Sequence, residues 1–465
     1  MSALLSESDL NDFISPGLAC IKPAEARHGE SQDDYGKLEV GKESSEVSKV
    51  SISLQDCLAC AGCITSSEEI LLGRQSHGVF LEEWGKLPSS RPLVVSISPQ
   101  CRLSLADYFH MEQGELDQCL IGMFHSYFNA RYVVGTQMGR MVTIQQTNKY
   151  LSKRRLHGNE GPMLCSVCPG FVLYAEKTKP DLVPFLLDVK SPQQITGALL
   201  LETVSDMYHL AIMPCFDKKL EASRKDSERE VDCVITPREL VTMLTELSVD
   251  ISHYKSHDSS LIHRLSPPGW DPAVHWSSSR GSSSGGYAYQ YLLSVQQAHP
   301  ESSIVTLHGK ISDVVEHRLL DQVGNIIASS TEVYGFRNIQ NMVRRLLVKS
   351  SNRNVNILRK RHASRPKTPT QTNAANHQNV TQDPYKTDFI EVMACPGGCI
   401  NGGGLLNGEQ SSAQRKQLTA QLNNNYRQLP LVDISSETIP TTKEYVYDLK
   451  PVINSTDIVT VSNTW

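Results

Sequence analysis

Eight cysteines of this chain fall into two sets of four, and each set is suited to hold iron and sulfide. The first is Cys20, followed by Cys57, Cys60 and Cys63 in Cys-Leu-Ala-Cys-Ala-Gly-Cys. The second is Cys168 in Cys-Pro-Gly-Phe, Cys215 in Met-Pro-Cys-Phe-Asp-Lys-Lys-Leu-Glu, and Cys395 and Cys399 in Ala-Cys-Pro-Gly-Gly-Cys-Ile-Asn-Gly-Gly-Gly. Thiolates bind soft metals, and a cluster of iron and sulfide offers an iron corner to each of four thiolates. The compact triplet puts three sulfurs on one wrap of backbone, so that each can reach a different corner. A single zinc ion more often takes two thiolates from one knuckle and two from another. A zinc knuckle, or three free buried thiols, is the competing reading of Cys57, Cys60 and Cys63. Spacing alone leaves Cys20 open as a fourth ligand, because a long polar insertion at 24–47 separates it from the others.

The elements that must position these residues can be read locally. Val50, Ile52 and Leu54 alternate with Ser, the period of a half-buried strand that delivers Cys57. Ser66 and Ser67 precede Glu68 and Glu69, a helix start with acid in its first turn. Strand, cysteine loop and helix suggest a small ferredoxin-like unit over residues 1–88. From residue 92 the texture changes. Leu93–Ile97, Tyr132–Val134, Leu210–Met213, Val231–Ile235 and Ile304–Leu307 are short runs rich in β-branched residues that read as buried parallel strands. Ser191-Pro-Gln-Gln and Thr236-Pro-Arg-Glu read as helix starts, each with a cap, a proline and an amide or acid three residues on. Phe336, Ile339, Val343, Leu346 and Leu347 share one helical face. Such alternation predicts an α/β, doubly wound domain over 89–410, with a C-terminal segment over 411–465. Cys215 then lies at a strand's carboxyl end, where such sheets put ligands. Glycines after Cys395 let backbone approach a bulky inorganic group.

Residues 351–386 are rich in Asn, Thr, Gln, Pro and basic residues and read as a disordered insertion; its Arg359-Lys-Arg361 is most simply a solvated loop. Ser277–Gly286 reads either as a plain linker or as a loop beside a buried site. Cys101, Cys119 and Cys233 read as core residues and Cys165 as structural.

The bulk numbers exclude several classes. The 465 residues allow two or three domains, and a net charge of −5 gives no global basic field for nucleic acid. The twelve cysteines cluster at ligand spacing with no secretory start, so a reducing compartment is expected. No apolar run is long enough for a membrane span.

Cys165–Phe171, Met213–Glu221 and Glu391–Gly404 resemble the three signature motifs of iron-only hydrogenases, in the same order. With Cys20 far upstream of the triplet and a terminal Trp465, the chain resembles the hydrogenase-like cytosolic iron–sulfur protein assembly factors, the family that includes the nuclear prelamin A recognition factor. The resemblance implies a ferredoxin-like unit followed by a two-lobed, hydrogenase-like α/β domain with parallel sheets. It implies two [4Fe–4S] clusters, one on Cys20, Cys57, Cys60 and Cys63 and one on Cys168, Cys215, Cys395 and Cys399 between the lobes. It implies work in cytosolic and nuclear iron–sulfur protein maturation, between a P-loop NTPase scaffold complex and a WD40-containing targeting complex, with Trp465 as the expected docking point. A cytoplasmic location follows, with the nucleus open as a second. One departure matters chemically. Val167 stands where hydrogenases carry a proton-relaying cysteine, so hydrogenase activity is not expected, although Lys218 matches a lysine of the hydrogenase pocket and Phe171 replaces a Trp. An active hydrogenase and a ferredoxin-type electron carrier are the alternatives.

Overall fold

The computed structural model describes residues 73–158, 161–227, 229–256, 258, 260–309, 313–347, 383–406, 411–434, 439 and 441–451. Cys20, Cys57, Cys60, Cys63, the 24–47 insertion, the strand expected at 50–54, the helix start at 66–69, residues 351–382 and Trp465 lie outside the described residues.

Two lobes follow a short opening helix, α1 (His77–Trp84). In lobe one, strand β1 (Leu93–Ile97) leads into helices α2 (Pro99–Phe109) and α3 (Gln113–Ser126), then β2 (Tyr132–Gly135). Helix α4 (Gln137–Leu156) crosses to lobe two, where β3 (Met163–Leu164) and α5 (Pro169–Thr178) follow. The chain then returns through α6 (Pro192–Thr203) to β4 (Tyr208–Ile212), α7 (Asp217–Ala222), β5 (Cys233–Ile235) and α8 (Pro237–Glu246). The lobe-one sheet has the order β2-β1-β4-β5 and every pairing is parallel. All its strand residues are buried, as expected of a sheet covered by helices on both faces.

Lobe two continues with α9 (Tyr287–Gln296), β6 (Ser303–His308), β7 (Val314–Leu320), β8 (Ile326–Tyr334), α10 (Phe336–Leu347) and β9 (Phe389–Met393). Its sheet has the order β3-β9-β8-β7-β6. Strands β3, β9 and β8 are parallel, whereas β8, β7 and β6 run antiparallel. The expectation of parallel sheets therefore holds for lobe one and for only half of lobe two. Ile304–Leu307, expected as a buried parallel strand, lies in the antiparallel edge strand β6, none of whose residues is fully buried. A hairpin can join β6 to β7 without a crossover helix, so nothing requires both faces of that edge to be covered.

Other local expectations meet mixed fates. Thr236 and Glu239 form a reciprocal capping box at the start of α8. Ser191 precedes α6 but makes no side-chain cap; its hydroxyl donates instead to Glu221 Oε2 at 2.9 Å. The hydroxyl is thereby turned toward a charged acceptor on α7 and accepts from none of the N–H groups of α6. At the end of the expected 351–386 insertion, Tyr385 is buried and Asp383 pairs with Arg345. Helix α11 (Ser412–Gln428) packs Leu418, Leu422 and Tyr426 on Leu103 and Ile400, so this part of the C-terminal segment is built onto both lobes.

Candidate metal centre

Four thiols from distant parts of the chain line one cavity of about 50 Å³ between the lobes. Cys215 comes from lobe one, three residues beyond the end of β4. Cys168, Cys395 and Cys399 come from lobe two, after β3 and β9. The other lining residues also follow strand ends: Ser98 and Gln100 after β1, Thr136 and Arg140 after β2, Met213 and Pro214 after β4. Parallel strands all point their carboxyl ends one way, so loops from several strands converge there.

Local sequence explains each placement. Cys168 sits at the N-cap of α5 with Pro169 as the first helical residue, and the Ala394 N–H donates to its Sγ at 3.4 Å. Gly397 and Gly398 have φ of 71° and 84°, a left-handed turn that brings Cys399 back beside Cys395. The chain then passes Pro214, next to Cys215. A Cβ at Gly402 would fall 2.4 Å from the Pro214 carbonyl oxygen, so only glycine lets the two lobes close here. The Ser277–Gly286 run lies beside the site and contributes Ser284 to its lining. Ser282 Oγ donates to Glu391 Oε1 at 2.6 Å, and Ser284 Oγ accepts from the Cys399 N–H at 3.0 Å.

The electrostatics of the four thiols are set first by burial. Burial pushes all four thiols up, Cys168 to about 12 and Cys215 and Cys395 well above their ordinary value. Neighbouring thiols push Cys168, Cys215 and Cys395 the same way, while Lys218, Ser284 and Arg140 favour the Cys399 thiolate. Lys218 is buried. Its Nζ donates to Glu221 Oε2 at 2.8 Å and to the Val167 carbonyl at 3.2 Å. Burial pushes the Asp217 carboxyl up to about 6 against the pull of Lys218.

Cys101, Cys119 and Cys233 are buried core residues, and Cys165 is buried without lining the cavity. Sequence reasoning missed Arg140, Tyr287, Gln100 and Gln193, which also line it. Gln100 and Arg140 could have been found, because each lies a few residues beyond a recognised parallel strand. Tyr287 and Gln193 carried no local signal.

The three-motif pattern and this two-lobed architecture have counterparts. The profile of the iron only hydrogenase large subunit, C-terminal domain, matches residues 91–403. The chain is 57% identical to the cytosolic Fe-S cluster assembly factor NAR1 of Eremothecium gossypii over 465 residues, covering 100% of both chains. The chain belongs to this hydrogenase-like family of cytosolic Fe-S cluster assembly factors. The protein of the same name from Saccharomyces cerevisiae is 51% identical over 494 residues, again covering 100% of both. A variant of [FeFe]-hydrogenase HydA1 from Chlamydomonas reinhardtii shares the fold with a TM-score of 0.54 at 19% identity, covering 81% of this chain and 100% of that one. The hydrogenase-like α/β fold expected from the motifs is thus the observed one.

Proposed function

We propose that this protein binds iron–sulfur clusters and serves the maturation of cytosolic and nuclear iron–sulfur proteins. The observation that carries the reading is the convergence of Cys168, Cys215, Cys395 and Cys399 on one buried cavity. The donor set fits an inorganic cluster. Four thiols surround the space, and the Ala394 backbone N–H donates to the sulfur of Cys168. Raised thiol pKa values mean that binding must release protons and that the metal's charge replaces them. A bound cluster would supply an electron-accepting or transferable inorganic core.

A second [4Fe–4S] cluster on Cys20, Cys57, Cys60 and Cys63 completes the proposal, with the unit over 1–88 as its carrier and the hydrogenase-like domain over 89–410 holding the buried one. The relatives' names point to the cytosol, and no described helix is long and apolar enough to cross a membrane. The expected partners are the scaffold NTPase complex and the WD40-containing targeting complex, the latter reached through Trp465. Tryptophan is a preferred interface anchor.

A hydrogenase reading has one observation in its favour, the buried Lys218 beside the cavity. Val167 opposes it. That aliphatic side chain lines the cavity next to Cys168 and can neither give nor take a proton.

Three measurements test the proposal. Anaerobic reconstitution should yield about eight irons and eight sulfides per chain, as two cubanes require; stoichiometric zinc with negligible iron would overturn it. Reduced-dye assays should give no hydrogen. Depletion in cells should strip clusters from cytosolic and nuclear iron–sulfur proteins and spare mitochondrial ones, and rescue should weaken when Trp465 is deleted.

A further inference from the structure

Two buried donors in the four-thiol cavity lack acceptors. Arg140, on α4, is 3% exposed, and Tyr287, at the start of α9, is 1% exposed. Both line the cavity with the four cysteines. Arg140 Nε and Tyr287 Oη are each buried without a hydrogen-bond partner. Buried donors are rarely left so, because each forfeits its hydration for nothing. The rest of the Arg140 head is held: its Nη1 donates to Tyr426 Oη of α11 at 2.6 Å.

Charge points the same way. Lys218 also borders the cavity, but Glu221 Oε2 sits 2.8 Å from its ammonium and neutralises it. Asp217 adds a carboxyl to the lining. Among the described residues no carboxylate forms an ion pair with Arg140. The cavity is therefore lined by a guanidinium that has no ion-pair partner among the described residues, together with four thiols. A thiolate-bound iron–sulfur cluster is anionic, and more so when reduced. Sulfide and thiolate sulfurs accept hydrogen bonds, and such bonds with nearby charge set the potential.

We propose that Arg140 and Tyr287 form a donor face that hydrogen-bonds the sulfur of the cluster held by Cys168, Cys215, Cys395 and Cys399 and raises its reduction potential. The inference rests on the cluster reading above. Arg140 contributes charge and an N–H, Tyr287 contributes an O–H, and Tyr426 holds Arg140 in place from the C-terminal helix. The direction follows from electrostatics. A cation and two donors favour the more negative, reduced state, so removing them must lower the potential.

The test is a potentiometric titration of the reconstituted full-length chain, followed by the EPR signal that survives Cys60→Ser and therefore belongs to the buried cluster. Arg140→Gln should cut the ratio of reduced to oxidised cluster at the parent midpoint by about tenfold, a shift of about −59 mV for one electron. Tyr287→Phe should cut it by about threefold, a proportionally smaller downward shift. It should also remove an exchangeable proton coupling from the ENDOR spectrum. Arg140→Lys, which keeps charge but loses the Nε donor, should fall between parent and Arg140→Gln. If Arg140→Gln does not load iron, Tyr287→Phe and Arg140→Lys decide by the same criterion. Midpoints equal to the parent's, with iron content and proton couplings intact, would overturn the proposal. A parent without any EPR signal surviving Cys60→Ser would instead refute the cluster reading beneath it.

Discussion

Lobe one binds the cavity with a single thiol, and lobe two binds it with three. The first is a fully covered parallel sheet, and the second trades its outer half for an antiparallel hairpin with an open edge. In both, every cavity residue that follows a strand follows a parallel one. The antiparallel pair β6–β7 delivers none of the lining. What the difference teaches is that chemistry here depends on strand direction more than on burial or size. Parallel carboxyl ends gather loops at one rim, and a hairpin sends its loops to opposite ends. The lobes are unequal partners in any shared metal, and that inequality can be tested.

Cys215→Ser should have the largest effect. It removes the only thiol lobe one supplies, beside the Pro214–Gly402 contact that closes the lobes. We expect total iron to fall by about half, the buried cluster's share, together with a marked drop in thermal midpoint of the loaded protein. Metal bound across two lobes stabilises their docking as well as itself. Cys165→Ser is the control. That thiol is buried three residues before Cys168 but does not line the cavity, so iron content should hold. Equal losses in the two variants would erase the distinction between ligand and core cysteine.

That distinction shows what was legible in the sequence. The four cavity cysteines stand in glycine- and proline-marked motifs, and β1, β2, β4 and β5 announce themselves as short β-branched runs. The sign of a pairing leaves no such mark. Ile304-Val-Thr-Leu307 has the composition of a buried parallel strand, yet it pairs antiparallel with β7 at the edge of the sheet and is only half-buried. Likewise Ser191-Pro-Gln-Gln carries a capping pattern that local rules accept, and only the fold reveals that Glu221 lies closer. Tyr287 escaped for the same reason. It sits in an ordinary helix, and its place in the cavity arises from what the opposite lobe brings near.

Buried histidines of lobe one and a buried glutamate of lobe two should also answer acid in opposite ways, with effects next in size. In lobe one, burial pushes His209 down to about 4 and His275 down to about 3. His275 is neutral by geometry. The Gly135 N–H donates to His275 Nδ1 at 3.2 Å, so a proton there would set two donors face to face. His275 Nε2 then donates to Ser266 Oγ at 2.8 Å. These folded-state values lie below the unfolded one, near 6.5. The stability they protect is therefore complete above pH 6.5 and is lost as pH falls toward 4 and then 3. In lobe two, burial first and Glu332 second push Glu391 up to about 7. Its folded value lies above the unfolded one, so its proton stabilises below pH 4.5 and that contribution is lost as pH rises through 7. At pH 5 one such histidine costs about 2 kcal/mol, and between pH 5 and 7 Glu391 costs a similar amount, about 2 kcal/mol. Urea denaturation from pH 5 to 8 should show His275→Gln flattening the acid limb and Glu391→Gln flattening the neutral one. If both variants flattened the same limb, the lobes would not differ in this respect.

The smallest effect separates two helices that look alike in sequence. Thr236 caps α8 in lobe one, accepting from the Glu239 N–H at 3.4 Å while Glu239 Oε2 accepts from the Thr236 N–H at 2.9 Å. Thr236→Ala should cost about 1 kcal/mol, the usual worth of such a cap, and should leave the cavity alone. Ser191→Ala at the start of α6 removes no cap. It strips a donor from Glu221, whose other partners are Lys218 Nζ at 2.8 Å and Tyr447 Oη at 2.7 Å. With one donor fewer, Glu221 should hold Lys218 more tightly and draw its ammonium away from the Val167 carbonyl, which borders Cys168. The two substitutions should therefore have similar costs in denaturation but different spectroscopic outcomes. Only Ser191→Ala should perturb the absorption of metal bound at Cys168, Cys215, Cys395 and Cys399. A spectrum unchanged by Ser191→Ala would mean that Glu221 supports the fold and has no leverage on the site.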